Sequence, residues 1–362
     1  MKSGGIMMGR TRLISRAASI CLVSTLALFC MAACQKADTN KEPKTGVAAF
    51  YDGRNIKWII PYSPGGGYDE YARLISPYLE KYTGARVDIY NMPGAGGLRG
   101  NNELFGAAKN GLTIGSINGS AMVTNELAEM RGAAYKISEF EFLGRIVSDT
   151  RVLVISLDSG YETFEQIWDA GEDVIIGATG LGGSTYVDAV VAKEAFDLQL
   201  KIVHGFDSSS VLRQAMLRGD IIGSWGSWGS ALDAVDEGRH RVVLQSGIER
   251  SADLADVPTA FEMAEKTPDP ERTRAILTAW ESLHKVGRPV AVPPGTPPER
   301  IQFLREAFAK ALHDPELIAK AEKSGRVIRY ASGEEMTQLV EEAMQMPDNI
   351  KQFFVSAVKG QL

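Results

Sequence analysis

The chain has 362 residues, 39 basic against 45 acidic side chains and a formal net charge of −6. It contains no basic run, which excludes an ordinary nucleic-acid-binding surface, so an anion would have to be held by locally aimed donors. Its three cysteines, Cys21, Cys30 and Cys34, all fall in the first tenth of the chain, leaving no intramolecular disulfide for the rest; the fold must be stabilised by its core.

Lys2, Arg10, Arg12 and Arg16 give a basic start without an acidic residue, and Ala17 to Ala33 then carries no charge. This is the layout of a secretory signal over residues 1–33, short and poorly flanked for a membrane span of about 20 residues. The run ends in Met31-Ala32-Ala33-Cys34, which resembles the lipobox of bacterial lipoproteins with Met in place of the usual Leu. Lipidation of Cys34 is the implied outcome; a plain signal cut after Ala33 is the alternative. Removing 33 of the 362 residues leaves 329, a length that suggests two domains. Residues 34–54 are polar and charged and read as a flexible tether.

From Ile56 the pattern alternates. Lys57 to Ile60 is strand-like. Asp69 to Tyr82 places Tyr71, Leu74, Ile75, Tyr78, Leu79 and Tyr82 on one helical stripe. Further strands are expected over 86–90, 112–117, 152–157, 174–177, 201–203, 220–223 and 241–244, with helices between most of them and a largely helical segment over 299–358. Strand–helix alternation argues for an α/β fold of mixed, mostly parallel sheets flanked by helices.

Between the first strand and its helix lies Pro61-Tyr62-Ser63-Pro64-Gly65-Gly66-Gly67-Tyr68-Asp69. Ligands of open α/β sheets bind at the carboxyl ends of strands. Glycines let backbone N–H groups approach closely, and a helix start offers unpaired donors and a positive dipole end. The loop can therefore hold an anion without Arg or Lys. The alternative is a tight turn with Asp69 as a helix cap. A second loop, Gly177 to Thr185, has the same construction; Thr179, Gly180, Ser184 and Thr185 are its candidates. Asn118 and Ser120 end a third strand, and Asp207, with Ser208 and Ser209, follows a fourth. Trp225 and Trp228, in a Gly-Ser-Trp triplet after a strand, form an aromatic wall of the site or packing of the core. The sequence leaves open which of Arg73, Arg99, Arg145 and Arg151 reaches a cleft.

Asn91-Met92-Pro93-Gly94-Ala95-Gly96-Gly97 is not the dinucleotide fingerprint, because Arg99 stands where its last glycine belongs, and no Walker-type loop occurs. His204, His240, His284 and His313 lack metal-ligand spacing, and Ser224 and Ser227 each miss a glycine of the nucleophile elbow. No metal, cofactor or catalytic residue is expected.

Together these loops resemble the substrate-binding receptors of tripartite tricarboxylate transporters, the Bug-type receptors. The resemblance rests on Pro64 to Asp69, Asn91 to Gly97, Gly177 to Ser184, Arg250 to Thr259 with its Asp256-Val257-Pro258-Thr259 end, and Pro293 to Pro297, in that order. It implies a two-lobed clamshell of the periplasmic-binding-protein type. Lobe 1 is expected over 55–150 plus 246–362 and lobe 2 over 151–245, closing on a hinge around a ligand. The implied ligand is a small organic acid (a di- or tricarboxylate, an acidic amino acid or an aromatic acid) held by Ser63 to Asp69 and Thr179 to Thr185. The implied partners are a large and a small multi-span transporter subunit; the receptor itself is expected as a periplasmic, membrane-anchored monomer. Phe206-Asp207-Ser208 departs from the family's Tyr-Lys-Gly, which disfavours extra negative charge on the ligand. A ligand-sensing receptor for a signalling partner and an α/β enzyme acting on a carboxylate or phosphate are the competing readings.

Overall fold

The computed structural model describes residues 45–148 and 150–361. The expected signal over 1–33 and Cys34 lie outside the described residues, as does most of the expected tether. The tether's last part forms instead a short helix, α1 (Gly46–Tyr51). Tyr51 is buried, donates its hydroxyl proton to the Gly111 carbonyl at 3.0 Å and stacks on Phe303 at 4.9 Å. One ring stack and one hydroxyl hydrogen bond from a buried tyrosine dock a segment whose composition is otherwise polar.

β1 (Asn55–Ile60) leads through the first glycine loop into α2 (Gly67–Thr83), whose Tyr71, Ile75, Tyr78 and Leu79 face inward as their spacing requires. The helix stops at Gly84, which takes the left-handed conformation (φ 76°) and donates to the Glu80 carbonyl. β2 (Arg86–Asn91), α3 (Leu98–Phe105), β3 (Thr113–Ser116), α4 (Gly119–Leu127) and β4 (Glu141–Arg145) follow. β5 (Arg151–Ser156) opens a second set: α5 (Phe164–Trp168), β6 (Val174–Ala178), α6 (Ser184–Phe196), β7 (Leu200–His204), α7 (Ser209–Leu217), β8 (Gly223–Ser227), α8 (Trp228–Asp236) and β9 (His240–Gln245). The remainder is α9 (Ala260–Ala264), α10 (Pro270–Val286), β10 (Pro289–Val292), α11 (Pro298–Leu312), α12 (Pro315–Lys323), β11 (Ala331–Ser332), α13 (Gly333–Met344) and α14 (Asp348–Val358).

Two sheets result, in the orders β11-β4-β10-β3-β1-β2 and β7-β6-β8-β5-β9. Both are mixed, and parallel pairing does not dominate them. β1–β2, β1–β3, β6–β7 and β6–β8 are parallel, whereas the five pairs made by β10, β4, β11, β5 and β9 are antiparallel. β4, β10 and β11 are short strands of five, four and two residues, too short to show an alternating pattern. They escape a pattern search, and they supply all the antiparallel pairs of the first sheet.

The strand expected over 220–223 runs instead over Gly223–Ser227, inside the Gly-Ser-Trp triplet. Glycine and serine fit there because the strand is flanked closely: a Cβ on Gly223 would overlap the Val154 carbonyl and Ile155 of β5.

The region 246–362 does not serve the first sheet alone. Trp280 of α10 meets Trp225 of β8 edge to face at 5.3 Å, and Thr273 donates to the Ala195 carbonyl of α6 at 3.2 Å. One apolar cluster accordingly runs without a break from Ile59 and Ile117 through Trp280 and Leu283 to Leu153 and Ile176. Continuous burial of this kind replaces the missing disulfides as the source of stability. Among the described residues no helix is long and apolar enough to cross a membrane.

Candidate functional site

The carboxyl ends of β1, β3, β6, β7 and β8 each feed a helix, and all five helix starts border one cavity. Tyr62, Gly66, Gly67 and Tyr68 enter it from the first loop and Asn118 from the third strand. Thr179, Ser184 and Thr185 come from the second glycine loop, Ser208 and Ser209 from the start of α7, and Gly226, Ser227 and Ser230 from the β8–α8 junction. The space open to the centres of water-sized occupants is ≈ 40 Å³. A larger groove, ≈ 830 Å³, runs past Trp228, Leu232 and Lys323. Of the strand-to-helix turns only that between β8 and α8 reaches it, through Trp228, so it lacks the converging donors that pick out the first cavity.

The caps sharpen the electrostatics. Asn118 Oδ1 accepts from the Ala121 amide (3.3 Å) and Ser208 Oγ from the Val211 amide (3.4 Å), satisfying the starts of α4 and α7. The N-cap residues of α2, α6 and α8 are Gly66, Gly183 and Ser227, and none supplies a side-chain cap. Three helices thus present first-turn N–H donors and positive dipole ends toward the same small space.

The cavity is not free of cations. Arg151, the first residue of β5, and Arg288, just before β10, both line it; they are 5% and 2% exposed. Arg288 donates through Nη2 to Ser227 Oγ and, at 3.2 Å, to Ser230 Oγ, and lies over the Tyr68 ring at 4.6 Å. Arg151 donates to Asp188 Oδ2 through Nε (2.8 Å) and Nη2 (2.5 Å). Burial alone would raise the Asp188 pKa, but Arg151, His284 and Trp280 outweigh it and hold the carboxyl below its ordinary value. Of the other arginines left open by the sequence, Arg73 pairs with Asp69, Arg145 reaches the Lys285 carbonyl, and Arg99 is exposed.

Several expected contacts fall elsewhere. Asp69 is 2% exposed and does not reach the cavity, nor does it cap α2. Its Oδ2 accepts from the Gly65 amide (3.0 Å) and Arg73 Nε (2.8 Å) and its Oδ1 from Asn91 Nδ2 (3.0 Å), which fixes the loop from behind. Desolvation pulls its pKa upward, yet these donors win and keep it below the usual carboxylate value.

Ser63, Pro64 and Gly65 face the start of α7 instead of the cavity. The Ser63 amide donates to the Asp207 carbonyl (3.4 Å), Ser210 Oγ to the Pro64 carbonyl (3.2 Å) and Arg213 Nη2 to the Gly65 carbonyl (3.2 Å). Ser120 bonds Asn118 Oδ1 at 3.2 Å without lining the space. Gly180 and Asp207 border a separate small cavity shared with Tyr62 and the turn 94–97. Trp225 is core, 1% exposed, because it sits within the strand and not after it.

Tyr62, Asn118, Thr179, Ser184 and Thr185 line one and the same cavity. Asn118 Nδ2 donates to the Tyr62 hydroxyl (2.7 Å) and to Ser184 Oγ (2.9 Å), joining loops of both sheets, while Thr179 and Thr185 share a hydroxyl bond of 2.9 Å. Sequence reasoning includes Tyr68 only as part of the stretch Ser63 to Asp69 and passes over Gly226, Ser227, Ser230 and Arg288 as ligand contacts. The serines belong to the conspicuous triplet, but Arg288 stands in Gly-Arg-Pro with no local pattern. Among the described residues no group of three or more His, Cys, Asp or Glu side chains is placed to hold a metal ion.

Comparison with known proteins gives a consistent answer. The model of the tripartite tricarboxylate transporter family receptor matches residues 71–353. A relative described as the UPF0065 protein in the tcbD-tcbE intergenic region of Pseudomonas sp. (strain P51) is 26% identical over 289 residues, 78% of this chain and 80% of the relative. Among solved structures, MatC from Rhodopseudomonas palustris with bound malate is 20% identical with a TM-score of 0.69, covering 83% of this chain and 99% of MatC. An R. palustris protein solved with adipate is 17% identical with a TM-score of 0.70, covering 83% of this chain and 97% of its own. These likenesses show a shared fold, the two-lobed architecture of periplasmic binding proteins. With the family model spanning most of its length, the chain belongs to the family of receptors of tripartite tricarboxylate transporters.

Proposed function

We propose that the protein captures a small organic carboxylate in the cavity between its two sheets and delivers it to the large and small multi-span subunits of a tripartite transporter. The observation that carries this reading is the convergence of three helix starts lacking side-chain caps, together with two buried guanidiniums, on one hydroxyl-lined space. A carboxylate there accepts charge-assisted hydrogen bonds among largely buried groups, where each is stronger than at a surface. The proteins of the same fold solved with malate and with adipate hold acids of this class. The small volume and the ring of Ser, Thr and Tyr hydroxyls favour a short aliphatic acid over an aromatic one.

In this reading Gly66, Gly67, Thr179, Ser184, Thr185, Asn118 and Tyr62 contact the acid and Arg151 and Arg288 set its charge. Residues 55–150 with 246–362 form one lobe and 151–245 the other, and the closed form is what the membrane partners recognise. The protein is exported by its first 33 residues, anchored through lipidated Cys34 and monomeric. It needs no catalytic group, cofactor or metal.

The test is thermal unfolding of the chain from Gly46 onward against malate, succinate, citrate, adipate, glutamate, benzoate and phosphate. A ligand bound only by the native state adds about 2.7 kcal/mol at a hundredfold excess over its dissociation constant. A raised midpoint with one or two aliphatic acids that are recovered unchanged is the expected result. A response to phosphate alone, no response, or consumption of the acid refutes it.

A further inference from the structure

Asp188 sits one turn into α6, behind the cavity residues Ser184 and Thr185, and is 1% exposed. Beyond its two bonds from Arg151, it accepts from the Trp280 indole Nε1 at 2.9 Å, and its Oδ1 lies 3.3 Å from His284 Nε2. His284, 3% exposed, has Nδ1 3.8 Å from Glu281 Oε2 on its own helix. Trp280 and His284 both belong to α10, which runs through Gly287 into Arg288. One buried carboxylate therefore ties together the strand that bears the first cavity guanidinium, the helix whose start lines the cavity, and the helix that leads to the second guanidinium.

We propose that Asp188 is a positioning residue of the cleft and makes ligand capture proton-linked: it holds Arg151 toward the ligand's carboxylate on one side and a proton on His284 on the other. This rests on the reading that the cavity binds a carboxylate. A purely structural ion pair is the competing account, since buried pairs are common and many can be replaced by apolar residues without loss. The two accounts differ in what happens when the cluster changes charge. With His284 protonated, Arg151 and His284 balance Asp188 and Glu281. When His284 loses its proton the same four groups carry one net negative charge beside a cavity built for an anion.

The groups that face His284 decide where this occurs. Burial by itself drives the imidazole toward the neutral form. Asp188 from α6 and Glu281 from α10 oppose that and raise its pKa above the ordinary value, while Arg151 of β5 acts from the far side of Asp188 and Lys285 acts on Glu281. Asp188 is shifted the other way and stays ionised. Anion affinity is therefore highest where His284 keeps its proton and declines as the pH rises through its raised pKa.

The experiment uses the purified full-length protein in mild detergent, with malate, succinate, citrate and adipate as probes, by isothermal titration calorimetry between pH 6.5 and 9.5. Malate, succinate and adipate are dianions over that range; citrate still loses its third proton at the lower end, so its profile is read in the upper half alone. For whichever of them binds, the dissociation constant is expected to rise at least about fivefold across it, the low end of ordinary site-to-site coupling. Buffers of different ionisation enthalpy should reveal fractional proton uptake. H284Q keeps a donor for Asp188 but no titration and should bind at all pH values as the wild type does at pH 9.5; D188N should also flatten the profile. A merely structural role lowers the melting temperature of both variants and leaves the profile's slope intact. A flat wild-type profile without proton uptake, or a wild-type slope in H284Q, overturns the proposal, and the wild-type buffer series decides it even if both variants fail to fold. Absence of binding by all four acids defeats the carboxylate reading, and the inference with it; binding without pH dependence defeats the inference alone.

Discussion

Gly180 is a position where a single methyl group tests closure against backbone atoms. It lies in the second glycine loop, and a Cβ built there would overlap the Gly96 amide nitrogen and come within 2.8 Å of the Ala95 carbonyl carbon and Gly96 Cα. These are backbone atoms of the turn 94–97, held in place by the Tyr62 hydroxyl on the Gly96 carbonyl (3.3 Å), so they have no rotamer to change. Gly180 does not have a positive φ, so alanine meets no strain of its own there. The penalty belongs to the arrangement in which the two loops touch. Overpacking by one methyl typically destabilises by about 1–3 kcal/mol. If that falls on the closed form alone, G180A weakens ligand binding by roughly 5- to 150-fold, since about 1.4 kcal/mol is a factor of ten. It leaves the melting temperature without ligand unchanged. Calorimetric affinity for the acid found by thermal screening, with unfolding of the unliganded protein beside it, measures both. Small-angle scattering should show that ligand no longer compacts the variant. Wild-type affinity in G180A, or a loss of unliganded stability as large as the loss of affinity, refutes the reasoning that this glycine serves lobe-to-lobe approach.

Trp225→Ala should behave oppositely. Removing a fully buried indole that packs on Trp280 destabilises by about 3–5 kcal/mol, while affinity measured below the new melting temperature stays within about threefold; a selective loss of binding would put the ring back in the site. Asp69→Asn removes the carboxylate that accepts from Gly65, Arg73 and Asn91, at about 1–3 kcal/mol for charge-assisted bonds. Because the folded-state pKa of Asp69 is lowered, its contribution is fully present above the unfolded value near 3.9 and is lost as the pH falls through the folded one. Denaturant unfolding should therefore show the gap between wild type and D69N at pH 7 and its closure as the pH drops below about 4; a gap independent of pH would mean that the charge is irrelevant.

How far the residues themselves announce this site depends on the range over which the information lies. β1 followed by Pro61 to Gly67 and the stripe of α2 is contiguous, and so is Val174 to Ala178 followed by Thr179 to Ser184. In such stretches period, glycine and helix start are read from neighbouring letters, and the loops appear where expected. β4, β10 and β11 are five, four and two residues long with no pattern of their own; they become strands because partners far along the chain offer them ladders. Their absence from a pattern search is what makes the sheets look more parallel than they are. Trp225 shows the same limit at one residue. Gly-Ser-Trp-Gly-Ser is poor strand sequence by propensity, and only the close flank of β5 and the facing Trp280 make it a core strand. The guanidiniums are the extreme case. Arg151 and Arg288 are 137 positions apart by their numbers, and no spacing rule joins them. They are linked through Asp188, Trp280 and His284, which are themselves unremarkable letters in two helices. A family whose loops are legible can therefore hide its charge selection. In the proposed reading the loops hold the anion, and the buried cluster behind them sets which protonation state of the protein binds it.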